Sequence, residues 1–134
     1  MKGFLKMITV QTDGATNENL RKSGLGIFIK HAEGLDEYAI LLPYMSNHEA
    51  EFQAVVQALK ICNEKFPNDI LAFQTDSKVV VDSIEKQYTT NKLFKPFLSN
   101  ILKRSENHPH FFIKWIPNTE NKRADQLAKK AICP

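Results

Sequence analysis

The stretch Ile8-Thr-Val-Gln-Thr-Asp13-Gly14-Ala15 decides how this chain is read. A run rich in β-branched residues makes a strand that carries one carboxylate and then meets a glycine, where the backbone is free to turn. The same word, Gln-Thr-Asp, returns at Phe73-Gln-Thr-Asp76-Ser77. If the two strands run parallel, Asp13 and Asp76 stand side by side at the carboxyl edge of a sheet, where open α/β folds bind ligands. Neighbouring acids at that edge ask for a cation.

Outward from this pair, residues 7–13 form the first strand and a polar interval, residues 16–23, leads to a second strand at Gly24–Lys30. Ala32-Glu-Gly34 turns the chain into a third strand over residues 37–42, completing an antiparallel meander that Pro43 ends. Ser46-Asn-His-Glu49 is a capping box and opens a helix that runs to about Phe66. Pro67-Asn-Asp69 breaks it, and the fourth strand, residues 70–75, is reached through that helix and so runs parallel to the first. Helices are expected from Ser77 to about Gln87 and around 93–106, with Pro96 tolerable in a first turn. Residues 111–116 are the fifth strand, Pro117–Glu120 a loop, and Asn121 to Ile132 the last helix. Right-handed crossovers put the first strand in the middle of the sheet. Phe111, Phe112 and Trp115 read as core and edge packing of the fifth strand.

Composition is consistent with this α/β plan. The 134 residues, 43% hydrophobic and 25% charged, suit a single domain spanning 1–134 with its core at about 7–131. No apolar run reaches membrane-spanning length, and Met1–Met7 is too short and too lysine-broken for a signal peptide, so a cytoplasmic protein is expected. Cys62 and Cys133 have no paired spacing and read as buried thiols. Net charge is +3, split as 7 Lys/Arg against 10 Asp/Glu over residues 1–76 and 11 against 5 over 77–134. A basic half beside acids suits a polyanionic substrate, although solvated helix faces give the same count.

Four acids stand out. Glu51 sits in the apolar stripe of its helix among Ala54, Val55, Ala58, Leu59 and Cys62, where an uncompensated charge costs several kcal/mol; a metal, a basic partner or a wet helix end would each explain it. Asp13 taken alone could be a turn aspartate, Asp76 an N-cap, and Asp125 a solvated acid bordering the Ala124, Leu127, Ala128 and Ala131 face. The topology nevertheless brings two strand ends, one helix start and one helix middle to a single corner.

Asp13-Gly14-Ala15, Glu51 behind Ser46-Asn47, Thr75-Asp76-Ser77, and Asn121-Lys-Arg-Ala124-Asp125-Gln-Leu-Ala128 resemble the four motifs of the ribonuclease H type 1 family, in family order and spacing. The likeness covers roughly Met7 to Ala131. It implies an α/β ribonuclease H-like fold, a five-stranded mixed sheet flanked by helices, with strands four and five parallel to the first. It also implies an endonuclease that hydrolyses the RNA strand of RNA/DNA hybrids and leaves 5′-phosphate and 3′-hydroxyl ends. Asp13, Glu51, Asp76 and Asp125 become metal ligands and catalytic residues for two Mg²⁺ or Mn²⁺ ions. Hard cations prefer oxygen donors, and a pair of them stabilises both ends of an in-line displacement. By the same resemblance Asn19, Asn47 and His48 contact the minor groove, where 2′-hydroxyls mark RNA, and Ser46 holds a phosphate. Lys78, Lys92, Lys95, Lys122 and Arg123 are candidates for salt-dependent contacts to the hybrid.

The chain departs from the family at two places. Pro117-Asn-Thr-Glu120 lacks the histidine that many relatives carry before the last helix, and only Tyr88–Lys92 stands where a basic, tryptophan-rich protrusion occurs in others. These losses keep a second reading in view, a hybrid-binding module with little cleavage. A carboxylate kept in an apolar stripe speaks against it. A phosphatase built on one strand-end aspartate would leave Glu51 and Asp125 unexplained. The protein is expected to act as a monomer.

Overall fold

The computed structural model describes residues 6–133. The start of the chain, read above as no signal peptide, lies mostly outside them. Strands β1 (Met7–Asn17), β2 (Lys22–His31) and β3 (Gly34–Leu42) form the meander. Helix α1 (Asn47–Lys65) leads to β4 (Ile70–Thr75), and α2 (Lys78–Lys86) and α3 (Lys95–Ser105) lead to β5 (Phe111–Trp115). A single 3-10 turn, Asn118–Glu120, precedes α4 (Lys122–Ile132). The strand order is β3-β2-β1-β4-β5, antiparallel within the meander and parallel from β1 to β4 and β4 to β5. This is the mixed sheet expected from the sequence.

The meander is longer than its apolar pattern suggests. β1 continues past Asp13 to Asn17 and β2 begins at Lys22, so half of the interval read as a polar loop is paired strand. Its tip holds without glycine, because Asn17 Oδ1 accepts the Leu20 N–H at 3.0 Å and Arg21 adopts φ +48°. Asp13 is therefore mid-strand. What ends there is the parallel ladder, whose last pair is Gln11 with Gln74, so that β1 and β4 part just before their aspartates.

The two faces of the sheet are covered differently. Val10, Leu25, Ile27 and Phe73 are fully or almost fully buried with Phe52, Val55 and Leu59 of α1, and α2 and α3 pack alongside that helix. α4 crosses β1, β2 and β3 on the opposite face, where Arg123 forks onto Glu37 of β3. The capping box of α1 is formed as expected: Ser46 Oγ accepts the Glu49 N–H at 3.2 Å and Glu49 Oε1 accepts the Ser46 N–H at 3.2 Å. Cys62 is buried, whereas Cys133 is exposed because α4 ends one residue before it. On β5, Phe111 packs edge-on against Phe73, but Phe112 and Trp115 remain 55% and 42% exposed. β5 is an edge strand.

Two glycines set how closely helices approach the site. A methyl group on Gly14 would overlap the α1 backbone at Ala50 and Glu51, and one on Gly26, the partner of Asp13 across the ladder, would overlap the α4 backbone at Ala124 and Ala128. Backbone cannot yield as a side-chain tip can. Gly26→Ala is expected to push α4 outward and cost about 2–3 kcal/mol, lowering the thermal midpoint by ~6–12 °C. A midpoint within ~2 °C of the unsubstituted protein, by calorimetry, would refute this account of the helix seat.

Candidate active site

Beyond the last β1–β4 pair the strands diverge, and the opening between them is a shallow cleft bordered by Asp13, Gly14, Ala15, Thr16, Asn47, Glu51, Asp76, Asp125 and Lys129. Carboxylate oxygens of Asp13, Glu51 and Asp76 all lie within 4.8 Å of one another. Glu51 reaches them from the second turn of α1, over the close contact that Gly14 permits. Asp125 borders the same cleft from α4, with its Oδ2 2.9 Å from Lys129 Nζ, and stands near enough to Asp13 to raise its carboxyl. The four acids singled out in the sequence thus share one cleft. The fourth stands beside the tight cluster of three.

Electrostatics follow from that crowding. Asp13 is only 6% exposed, and burial together with the charges of Asp76, Asp125 and Glu51 pushes its carboxyl up to about 8. Asp76 is also raised, by burial first and by Asp125 second, against hydrogen bonds from its own backbone and from Asn121. Glu51 keeps partners of its own: His48 Nδ1 lies 2.9 Å from Oε1, and Asn47 Nδ2 donates to Oε2 at 3.5 Å. Among the described residues Lys129 is the one Lys or Arg that borders the cleft, and it faces Asp125 rather than the three converging oxygens. A cluster of hard, converging oxygens short of positive charge is the donor set that a divalent cation fits.

Supporting residues bolt this arrangement in place. Gln11 and Gln74 meet across the β1–β4 ladder, Gln11 Nε2 donating to Gln74 Oε1 at 2.9 Å and to the Glu120 carbonyl at 3.2 Å. The repeated Gln-Thr-Asp word therefore ties the loop before α4 to the sheet as well as delivering two acids. Asn121, fully buried, donates through Nδ2 to the Thr12 carbonyl at 3.0 Å and lies close enough to Asp76 to favour its charged form. It stands at the N-cap of α4, yet its side chain makes no cap hydrogen bond. No local signal marks it.

The expected substrate contacts fall at different places. Asn47 borders the cleft, His48 sits against Glu51, and Ser46 stays exposed at the start of α1. Asn19 lies exposed on the β1–β2 tip, outside the cleft lining. Lys78, the first residue of α2, borders a neighbouring groove with Asp76. Arg123 is taken up by Glu37 and Gln126 and is not free for a phosphate in this arrangement.

A five-stranded sheet with this order and a carboxylate cluster at the β1–β4 divergence defines the ribonuclease H class of folds. Comparison with known proteins agrees. Residues 11–131 match the family described as reverse transcriptase-like. "Putative hydrolase EbsB" of Enterococcus faecalis is 38% identical over 94% of both chains. Ribonuclease H of Trichodesmium erythraeum is 30% identical over 92% of this chain and 87% of its own. Among solved structures, ribonuclease H1 of Halobacterium salinarum superimposes with a TM-score of 0.86 at 21% identity, covering 94% of this chain and 97% of that one. LC11-RNase H1, from a compost metagenome and solved in complex with an RNA/DNA hybrid, gives 0.84 at 25% identity, covering 93% and 96%. The chain belongs to the ribonuclease H type 1 family, whose members depend on metal ions.

The raised Asp13 carboxyl has a consequence for stability. Between its usual value near 3.8 and about 8, the folded protein holds a proton that the unfolded chain has released, so metal-free stability falls as pH rises across that window. Asp13→Asn removes the penalty while keeping the oxygen that accepts the Gly14 N–H. In EDTA the variant should melt ~6 °C or more above the unsubstituted protein at pH 8 and within ~2 °C of it at pH 4. Equal differences at both pH values would show that crowding of charge is not the cause.

Proposed function

We propose that this protein is an endonuclease that hydrolyses the RNA strand of RNA/DNA hybrids and leaves 5′-phosphate and 3′-hydroxyl ends. The observation that carries the reading is the triad of carboxylates, with oxygens within 4.8 Å, in a chain that ribonuclease H relatives match along nearly its whole length. The chain is a ribonuclease by family. The hybrid seen bound to LC11-RNase H1 supports the choice of substrate.

In this reading Asp13, Glu51, Asp76 and Asp125 hold two Mg²⁺ or Mn²⁺ ions. When bound, such ions polarise a phosphoryl oxygen, lower the pKa of water and stabilise the leaving oxygen of an in-line displacement. The chain's own residues do the placing. Asp13 is fixed by its strand between the flanking acids, and Glu51 is braced by His48 and Asn47. Asn121 holds Asp76 at the end of β4, and Asp125 faces the cleft from α4, its charge partly balanced by Lys129. Asn47 and His48, at the start of α1, meet the minor groove and report the 2′-hydroxyl, while Ser46 and the α1 N-terminus receive a phosphate. Asn19 and Lys78 extend the contact on either side. Because the contacts are to backbone and groove shape, sequence preference is weak.

The loop before α4, with its 3-10 turn Asn118–Glu120, has no histidine. A module that only binds hybrids would have no use for three acids crowded at one point, so the cluster favours the nuclease. Incubation with an end-labelled hybrid in Mg²⁺, then in Mn²⁺, should cleave only the RNA strand. Asp76→Asn is expected to lower the rate by more than about a hundredfold and Asn121→Ala by about 10–100-fold, the range for partners that orient metal ligands. Tight binding without cleavage in either ion would make the protein a hybrid-binding module instead.

A further inference from the structure

A second groove adjoins the acid cleft, and of its lining only Asp76 and Lys78 enter the reading so far. Asp76, Lys78, Trp115, Pro117 and Asn118 line it, and Asp76 belongs to both linings. Trp115 is the only tryptophan of the chain, and it is fixed without being covered. Its Nε1–H donates to the Asp76 carbonyl at 3.1 Å and its backbone pairs with Thr75, yet 42% of the residue is exposed. An indole usually gives up far more of its surface to the interior. The anchor consumes its one polar group, so the open surface is apolar.

Lys78 completes the groove with charge. Its Nζ stands 5.0 Å from the Trp115 ring centre, and among the described residues it pairs with no carboxylate. As the first residue of α2, in a turn without an acid, it adds its charge to the positive end of the helix dipole. An anion nearby would relieve that repulsion. The groove thus offers a rigid apolar wall and a cation side by side, one step from the carboxylate cluster.

We propose that Trp115 and Lys78 form a backbone-binding subsite for the strand being cut, at the nucleotide next to the scissile phosphate on the Asp76 side. The sugar packs on the indole and Pro117, and its phosphate pairs with the Lys78 ammonium. A paired strand keeps its bases stacked inside the duplex and presents sugar and phosphate outward, which is the alternation the groove matches. Trp115 is then a positioning residue, setting the register in which the next phosphate reaches the acids. The inference rests on the proposed hybrid substrate.

The lone tryptophan reports on its own subsite. Asp13→Asn protein in Mg²⁺, which should bind without cutting, is titrated with an unlabelled RNA/DNA hybrid under 295 nm excitation, with gel shifts run in parallel. Indole emission should change saturably at the concentrations that shift the gel, and Lys78→Gln should weaken binding about threefold to tenfold. In the otherwise unsubstituted enzyme, Trp115→Phe should raise KM by a similar factor with kcat nearly unchanged. A gel shift with no change in emission would overturn the subsite and leave the nuclease reading intact. Equal quenching by unpaired RNA would assign the ring to base stacking and overturn the backbone assignment. No shift with any hybrid would overturn both proposals.

Discussion

Mutual repulsion among the carboxylates of Asp13, Glu51 and Asp76 is the constraint on which the rest of the structure depends. Three acids with oxygens inside 4.8 Å do not stay together by themselves, and each is tethered to a different rigid element. β1 carries the first, α1 the second, and the third directly follows β4. The sheet and the helix packed on it are secured by a continuous apolar core that includes Val10, Phe52, Val55 and Phe73. Burial of that core opposes the charge cost at the edge. The Asp13 carboxyl is raised by its burial first and by the neighbouring charges second.

Close approach is the second requirement. The carboxylate of a short aspartate reaches its neighbours only if the elements carrying them come within backbone contact. Gly14 lets α1 settle on β1, and Gly26 lets α4 settle on β2 directly across from Asp13. The same economy explains the paired glutamines. Gln11 and Gln74 bond where the parallel ladder ends, and the bond to Glu120 holds the last loop at that point. Strand divergence, acid cluster and loop anchorage coincide because one register places all three.

Departures from the family pattern fall around the acids rather than among them. The missing histidine belongs to the loop before α4, and the missing protrusion to the short link between α2 and α3. Both features concern how substrate is held or product leaves. The groove beside Asp76, with an anchored indole and an unpaired ammonium, is a compact way to hold a strand without a protrusion.

The order of elements, the parallel return of β4 and the capping box of α1 were all legible in the chain, because each rests on local periodicity, turn chemistry or the handedness of crossovers. The glutamate in an apolar stripe was equally plain, since burying a charge is costly wherever the helix lies. Other features were not legible. The strands of the β1–β2 hairpin extend through a polar stretch because antiparallel pairing satisfies its backbone, whatever its side chains suggest. Asn121 opens the last helix and is anchored by the Thr12 carbonyl beside Asp76, and Trp115 looks like packing and instead stands open beside the site. Sequence by itself determined which residues carry charge and which elements carry the residues. Only the tertiary structure decided which oxygens converge, which cations are already paired and which aromatic surface stays uncovered. Those depend on distances between segments far apart in the chain, and local pattern holds no information about them.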